Sequence, residues 1–281
     1  MTATMREKAE LLRRLHGGTR LLVLPNAWDV GSARVLAAHG APAIATSSAG
    51  VAYALGYPDG ERIARAEMLD MVRRIAAAVA VPVTADVEAG YGATAADAVE
   101  TAAGVLAAGA VGLNLEDATD GRLLPLDPQV ERVAAIRRVA EASGVPLVVN
   151  ARTDAAAAAE LPPEERLAEA VRRANAYLAA GADCAFVPFV TERDAIARLA
   201  REVRGPLNVL GTPASPSLEE LARLGVRRVS FGSGIARAAY GRARRIAREL
   251  SSTGTYAALA EDAIAYDEMQ LLFGARRQAS P

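Results

Sequence analysis

The sequence predicts an α/β chain folded as a (β/α)8 barrel of the TIM type, and three observations carry that expectation. Eight short apolar runs alternate with eight longer stretches rich in Ala, Arg and Glu. The runs are apolar nearly throughout, as parallel strands covered on both faces are. Five of the long stretches end in a glycine just before the next run, where a helix closes most cheaply in the left-handed conformation. The 281 residues suit one barrel of about 250 residues with a short extension. The chain 1–281 is therefore read as a single domain, with the barrel over about 20–250 and a helical extension over about 254–274. An open doubly wound sheet is the competing architecture, but eight units without Gly-x-Gly-x-x-Gly after the first strand favour closure.

The elements follow in order. The opening MTATMREKAELLRRLHGG is an amphipathic charged helix without the apolar core or cleavage site of a secretory signal. The first strand, Leu21–Leu24, leads into a helix over 29–39 that ends at Ala-His-Gly-Ala-Pro (38–42). The second strand, Ala43–Thr46, precedes a polar stretch and a helix over 62–80. The third, Pro82–Asp86, is followed by a helix over 95–108 closing on Ala-Ala-Gly-Ala-Val (107–111). The fourth, Gly112–Leu115, is followed by a helix over 128–143 closing on Ala-Ser-Gly-Val-Pro (142–146). After the fifth, Leu147–Ala151, an alanine run at Ala155–Ala159 leads into Leu-Pro-Pro-Glu-Glu. Proline and acids there suit the start of a helix, expected over 164–180 and ending at Ala-Ala-Gly-Ala-Asp (179–183). The last three strands are Cys184–Pro188, Leu207–Leu210 and Arg228–Phe231, with helices over 192–203, 217–224 and 234–250. The seventh helix closes on Arg-Leu-Gly-Val-Arg (223–227). Residues 254–274 read as one further amphipathic helix, which either caps the barrel or reaches a neighbouring subunit.

Composition excludes several kinds of chemistry. A net charge of −1 speaks against nucleic acid or an acidic membrane surface as the partner. No apolar run reaches the roughly 18 residues of a membrane span. The single cysteine, Cys184, leaves no internal disulfide and no Cys-based zinc cluster, and the cytoplasm is the expected location. Cys184 opens the sixth strand and reads as a core thiol. Lys8 is the only lysine and lies in the N-terminal helix, so Schiff-base chemistry is nearly excluded. The only histidines, His16 and His39, lie before the first strand and at the end of the first helix, away from where barrel chemistry occurs. Carboxylates, arginines, hydroxyls, tyrosines and a metal ion remain.

Barrel sites form at the carboxyl ends of the strands. Asp86, Glu88 and Glu116 converge there from adjacent strands, with Asp59 on a loop beside them. Such a cluster repels itself unless a cation or bound protons neutralise it. A hard cation with oxygen ligands and retained waters is the natural solution. Helix capping explains acids such as Asp29 and Asp97, whereas Asp86 and Glu88 precede a Gly-Tyr-Gly turn. Arg152 stands directly on a strand end, where a guanidinium can hold a substrate carboxylate through paired bonds. Ser47, Ser48 and Gly50 can offer hydroxyls and backbone N–H groups to the same anion, though an ordinary polar loop is the bland alternative. Gly232-Ser233-Gly234 resembles a barrel phosphate site at a helix N-terminus, but three residues do not specify one.

Together these residues resemble the isocitrate lyase and phosphoenolpyruvate mutase superfamily, over about Leu24 to Ser233. The strongest piece is Thr-Ala-Asp-Val-Glu-Ala-Gly-Tyr-Gly (84–92), similar to the family's Asp-x-Asp-x-Gly-Tyr-Gly metal loop with Glu88 in place of the second acid. Supporting pieces are Pro-Asn-Ala-Trp-Asp (25–29), Thr-Ser-Ser-Ala-Gly (46–50), Leu-Gly-Tyr-Pro-Asp (55–59), Asn-Leu-Glu-Asp (114–117) and Asn-Ala-Arg-Thr-Asp (150–154). The resemblance implies Mg²⁺, with Mn²⁺ as its substitute, held largely through water by Asp59, Asp86, Glu88 and Glu116. It implies a substrate shell of Trp28, Ser47, Ser48, Ala49, Gly50, Asn150, Arg152 and Thr212, with Tyr53, Arg152 and Glu116 acting on the substrate. It further implies a homotetramer, a dimer of dimers, with a late helix exchanged between subunits.

One departure bears on the reaction. The family's lyases carry a Lys-Lys-Cys-Gly-His loop after the fourth-strand acid, and its phosphonomutases a Lys and an Asn. Here Asp117–Asp127 holds no Cys, Lys or His. Decarboxylation of a β-keto acid such as oxaloacetate needs no side-chain base for the bond that breaks. Cleavage of a 2-hydroxy acid of the methylisocitrate or dimethylmalate type needs one, from Tyr53, Tyr91 or a metal-bound water. The expectation is a Mg²⁺-dependent carbon–carbon lyase on a small keto or hydroxy acid. A P–C bond enzyme is the first alternative and a non-catalytic dicarboxylate-binding barrel the second.

Overall fold

The computed structural model describes residues 3–274. Helix α1 (Met5–Gly17) opens on a reciprocal cap, in which Thr4 Oγ1 accepts from Glu7 N and Glu7 accepts from Thr4 N. Then come β1 (Leu22–Leu24), β2 (Asn26–Ala27), α2 (Val30–Ala38), β3 (Ile44–Thr46), α3 (Ser48–Leu55), α4 (Arg65–Ala78), β4 (Val83–Asp86), α5 (Ala95–Ala107) and β5 (Gly112–Glu116). A small hairpin of β6 (Ala118–Thr119) and β7 (Arg122–Leu123) precedes α6 (Leu126–Ser143) and β8 (Val148–Arg152). The second half holds a 3₁₀ turn at Ala155–Ala157, α7 (Pro163–Ala179), β9 (Cys184–Val187), α8 (Arg193–Glu202), β10 (Leu207–Leu210), α9 (Leu218–Arg223), β11 (Arg228–Ser230) and α10 (Gly234–Ser252). A second 3₁₀ turn at Ala257–Ala260 and α11 (Tyr266–Gly274) end the described chain.

The strands form the expected parallel barrel. The sheet runs β1-β11-β10-β9-β8-β5-β4-β3-β2. β1 and β2 are two halves of one first strand, interrupted at Pro25, which has no N–H for a ladder. β1 pairs with β11 and β2 with β3, so the two halves close the ring. Asn26 bridges the break: its Nδ2 donates to Thr46 O at 2.8 Å and its Oδ1 accepts from Phe231 N at 2.7 Å. The glycines expected to close helices, Gly40, Gly109, Gly144, Gly181 and Gly225, all have φ between 69° and 106°.

The main apolar core lies between the sheet and its helices, with Ile44, Met68, Ile75, Leu113, Leu115 and Leu147 among its fully buried members. The barrel interior is polar by contrast. Asn114, Asn150, Asn208, Arg228 and Ser230 are all buried. Asn150 Nδ2 donates to Asn114 Oδ1 at 2.7 Å, and Arg228 reaches the same oxygen at 3.3 Å. Helix α1 plugs the barrel's amino-terminal end. A Cβ on Gly112 would sit 2.9 Å from Leu12 Cδ2, and His16 lies 3.2 Å from Arg228 Nη1.

Two expectations are corrected. The polar stretch after the second strand is the helix α3, capped by Ser47, whose Oγ accepts from Gly50 N. A helix of eight residues is too short for its periodicity to declare itself. The extension over 254–274 is not one helix but the second 3₁₀ turn and α11, separated by Glu261–Ala265. It is tied to the barrel at two places: Glu249, Arg242 and Arg245 of α10 hold Ala257, Ala258 and Glu261, and Arg34 of α2 donates to Leu272 O and Phe273 O and stacks on the Phe273 ring. Among the described residues no helix is long and apolar enough to cross a membrane.

Candidate active site

The acids meet at the carboxyl ends of β4 and β5. Asp86 is the last residue of β4, and its Oδ2 accepts from both Ser48 N at 3.0 Å and Ser48 Oγ at 2.9 Å. Thr46 Oγ1 accepts from Asp86 N at 2.8 Å, fixing the strand end from the other side. Burial pushes Asp59 above the usual carboxylate range, and the Asp86 charge adds to the shift. Burial likewise pushes Glu88 up to about 7, with Asp86 and Asp59 adding to it. Glu116 is raised well above its ordinary value by burial, and the Arg152 guanidinium opposes that rise. One charge, that of Asp86, thus bears on the three other acids.

The loop carrying Glu88 has an unusual backbone. Glu88, Gly90, Tyr91 and Gly92 all have positive φ, at 50°, 94°, 58° and 157°. Glu88 and Tyr91 bear side chains there, which costs of order 1 kcal/mol or more each unless the surroundings hold them. At Gly92 a Cβ would fall 2.3 Å from Asp97 Cγ. The surroundings do hold the loop. Arg132 of α6, 2% exposed, donates to Ala89 O and to Gly92 O. Thr101 Oγ1 donates to Gly90 O at 2.7 Å and Arg65 to Tyr91 O at 2.7 Å. Glu61 accepts from Tyr91 N at 2.7 Å while its own N–H donates to Glu88. Gln129 links Arg132 to the neighbouring strand end: its Oε1 accepts from Arg132 Nη1 at 2.9 Å and its Nε2 donates to Glu116 O at 3.0 Å. A single sequence gives no sign of this clamp, because Arg132 is one of many helix arginines.

Arg152 ends β8 and binds two acids. Nη1 lies 2.6 Å from Glu116 Oε2, while Nε and Nη2 donate to the two oxygens of Asp154 at 2.6 and 2.7 Å. Three of the five guanidinium N–H groups are so engaged, leaving two toward the cavity. Asp154 N donates to Asp117 Oδ1 at 2.9 Å. Asp117, with no exposed surface, also accepts from Tyr177 OH at 2.7 Å and Arg173 Nη1 at 3.1 Å. Arg173 holds Leu124 O as well, and Leu124 N donates to Asp117 O. The stretch 117–124 is therefore a pinned hairpin, turning at Asp120-Gly121 with φ of 47° and 74°.

A cavity of about 1000 Å³ opens at the mouth. Ser47, Ser48, Ala49, Tyr53, Asp59, Asp86, Arg152 and Thr212 of the expected set line it. A second cavity of about 480 Å³ takes Asp59, Glu88 and Glu116 into its wall, so Asp59 borders both. Trp28, Gly50 and Asn150 line neither. Gly50 packs on Trp28, with room for no Cβ: one would sit 2.8 Å from Trp28 Cβ. Asn150 is fully buried beneath the mouth, its Oδ1 without a hydrogen-bond partner. Ser48 serves Asp86 with both its N–H and its hydroxyl. Tyr91 OH donates to Glu88 Oε1 at 3.3 Å, and burial together with the Glu88 charge pushes its phenol up, so it is unsuited as a base. Tyr53, 40% exposed, faces the cavity without such a neighbour.

The donor set fits a hard cation held chiefly through water. Every donor is a carboxylate oxygen, and burial and mutual repulsion raise three of the four acids. Among the described residues no group of three or more His, Cys, Asp or Glu is placed to hold an ion by itself, so water or substrate oxygens would have to complete any coordination there.

Comparisons with known proteins show the family and the fold. A family model described as phosphoenolpyruvate phosphomutase matches residues 12–251. An oxaloacetate decarboxylase from Bradyrhizobium sp. is 32% identical over 237 residues, spanning 80% of this chain and 78% of that protein. A crystal structure of a lyase/mutase candidate from Burkholderia cenocepacia has a TM-score of 0.89 at 38% identity, covering 96% of this chain and 97% of its own. A phosphonopyruvate hydrolase complexed with oxalate and Mg²⁺ has a TM-score of 0.84 at 26% identity, covering 98% of this chain and 95% of its own.

Proposed function

Because the chain belongs to the phosphoenolpyruvate phosphomutase family, within the superfamily shared with isocitrate lyase, we propose that it is a Mg²⁺-dependent carbon–carbon lyase acting on a small α-keto or 2-hydroxy acid. The observation that carries this reading is the cluster of Asp59, Asp86, Glu88 and Glu116 around two adjoining cavities of the barrel mouth, with Arg152 paired to Glu116 and lining the same cavity as Asp59 and Asp86. Bound there, the cation would draw charge from the keto oxygen and adjacent carboxylate and stabilise the enolate that forms as the bond breaks. Arg152 offers its two unused N–H groups to a substrate carboxylate and fixes its orientation. Ser48 holds Asp86, and the Arg132–Gln129 clamp holds the loop of Glu88 and the end of β5 in register. The hairpin over 118–123 borders the second cavity beside Glu88 and Glu116.

Decarboxylation of a β-keto acid leads, because loss of CO₂ asks for no side-chain base, whereas the phenols on the cavity wall, Tyr53 and Tyr240, are both about 40% exposed. Cleavage of a 2-hydroxy acid would employ Tyr53 to take the hydroxyl proton. Chemistry at a P–C bond is the second reading, favoured by the likeness to a phosphonopyruvate hydrolase. A tetrameric assembly belongs to the same proposal. Its support is the row of exposed apolar side chains in the extension, Tyr256, Leu259, Tyr266 and Leu271 among them.

The test incubates purified protein and Mg²⁺ separately with oxaloacetate, 2-methylisocitrate, dimethylmalate and phosphonopyruvate, and follows pyruvate and phosphate. Pyruvate formation from oxaloacetate, 2-methylisocitrate or dimethylmalate beyond that of Asp86→Ala supports the lyase. Equal rates for wild type and Asp86→Ala on every compound would remove it. Phosphate from phosphonopyruvate alone would move the protein to P–C chemistry.

A further inference from the structure

The chain has four phenylalanines, and three of them, Phe186, Phe189 and Phe231, line the mouth cavity. They arrive from one side, at the ends of β9 and β11, and Leu210 of β10 stands between those strands on the same wall. Gly211 makes room for the Phe231 ring: a Cβ there would fall 2.8 Å from Phe231 Cε1. Phe189 has φ of 64° and is 53% exposed. A bulky residue in the left-handed region is a true outlier, and an exposed one has no core packing to hold it there. Its partner is Arg152, whose guanidinium carbon lies 5.6 Å from the Phe189 ring centre and 5.9 Å from that of Phe186. The cation that would bind a substrate carboxylate is thus set between two rings.

The opposite side of the cavity is polar, with Ser47, Ser48, Asp59, Asp86 and Asn114. Arg237 and Arg244 border the same cavity from α10 but are exposed, where screening weakens a charge. A pocket with a charged, metal-binding head end and an aromatic wall beside its carboxylate clamp selects a ligand of the same two-sided build.

We propose that this site takes an α-keto or 2-hydroxy acid carrying an apolar branched or aryl group, seated against Phe186, Phe189, Leu210 and Phe231, rather than a second carboxylate at that position. The inference rests on the metal-assisted reading of the head end. The apolar group covers the half-exposed Phe189 ring and gains about four-fold in affinity for each methylene removed from water.

The test measures binding to the full-length protein with Mg²⁺ by calorimetry, using oxalate as the bare head group, 4-methyl-2-oxopentanoate as an apolar arm and 2-oxoglutarate as a charged arm. The apolar acid is expected to bind at least about ten-fold tighter than 2-oxoglutarate. Phe189→Ala should reduce that ratio several-fold, and Phe189→Leu should restore part of it, with melting temperatures reporting that each variant is folded. Equal or tighter binding of 2-oxoglutarate, or a ratio unmoved by Phe189→Ala, would overturn the apolar pocket while oxalate binding upholds the metal-assisted head site. Failure of oxalate itself to bind would remove both.

Discussion

Glu116 and Arg152 stand opposite each other in the β5–β8 ladder, with Oε2 and Nη1 2.6 Å apart and side chains only 16% and 19% exposed. An ion pair so placed couples the acid cluster to the substrate clamp. Arg152→Lys keeps the charge but loses the fork that spans Glu116 and Asp154, and should raise KM about 10- to 100-fold. Arg152→Met leaves Glu116 buried without its partner, and the urea midpoint should report a loss of about 3 kcal/mol in the absence of metal. Unchanged KM and unchanged stability would show that the pair is incidental.

The Arg132–Gln129 clamp is expected to act through the loop it holds. Arg132→Met and Gln129→Leu should each weaken Mg²⁺ binding about 10- to 100-fold, as loss of a supporting partner commonly does. Calorimetric titration with Mg²⁺ alone checks this without relying on turnover. Arg132→Lys, which can still reach one carbonyl, should fall between the variant and wild type.

Acid should weaken the fold through His16. Burial, aided by the Arg228 charge, pushes His16 down from its ordinary 6.5 to about 4. The folded protein holds it neutral, so the unfolded chain binds the extra proton between those values. Its contribution is complete above about pH 6.5 and is lost as the pH falls toward 4. A lowering of this size corresponds to a few kcal/mol at most. Urea denaturation at pH 7 and pH 5 should show a smaller loss for His16→Gln than for wild type, and parallel losses would exclude His16 as the source.

Tyr53→Phe separates the two carbon–carbon reactions. A general base contributes about 10²- to 10⁴-fold. The variant should lose at least about 10²-fold in kcat on a 2-hydroxy acid, with the ascending, acid-side limb of its pH profile removed, and far less on a β-keto acid.

Much of the architecture was readable from periodicity. Seven of the eight strand ends fell within a residue of their expected places, the first strand running on past Leu24 to Ala27, because buried parallel strands are apolar and the helix-closing glycines mark their starts. Asp86, Arg152 and Ser48 could be named because chemistry in this fold sits where those strands stop. The sequence did not disclose what Ser48 does: read as a substrate contact, it gives both donors to Asp86. Nor did it reveal α3, too short to show a helical period, or the Asp117–Arg173–Tyr177 network that pins the loop after the fourth strand as a hairpin. Those contacts join residues 56 or more positions apart, and no local rule connects them. Phe189 was missed because its backbone conformation, not its residue type, marks it.

Oxalate binding tests the central claim most directly, since oxalate mimics the planar enolate that the acid cluster and its cation are proposed to stabilise. Calorimetry with wild type should show oxalate binding that requires Mg²⁺, disappears with EDTA and weakens at least about 100-fold in Asp86→Asn, a loss of roughly 2.7 kcal/mol. Oxalate binding that is equally strong without the metal, or undiminished in Asp86→Asn, would contradict the account.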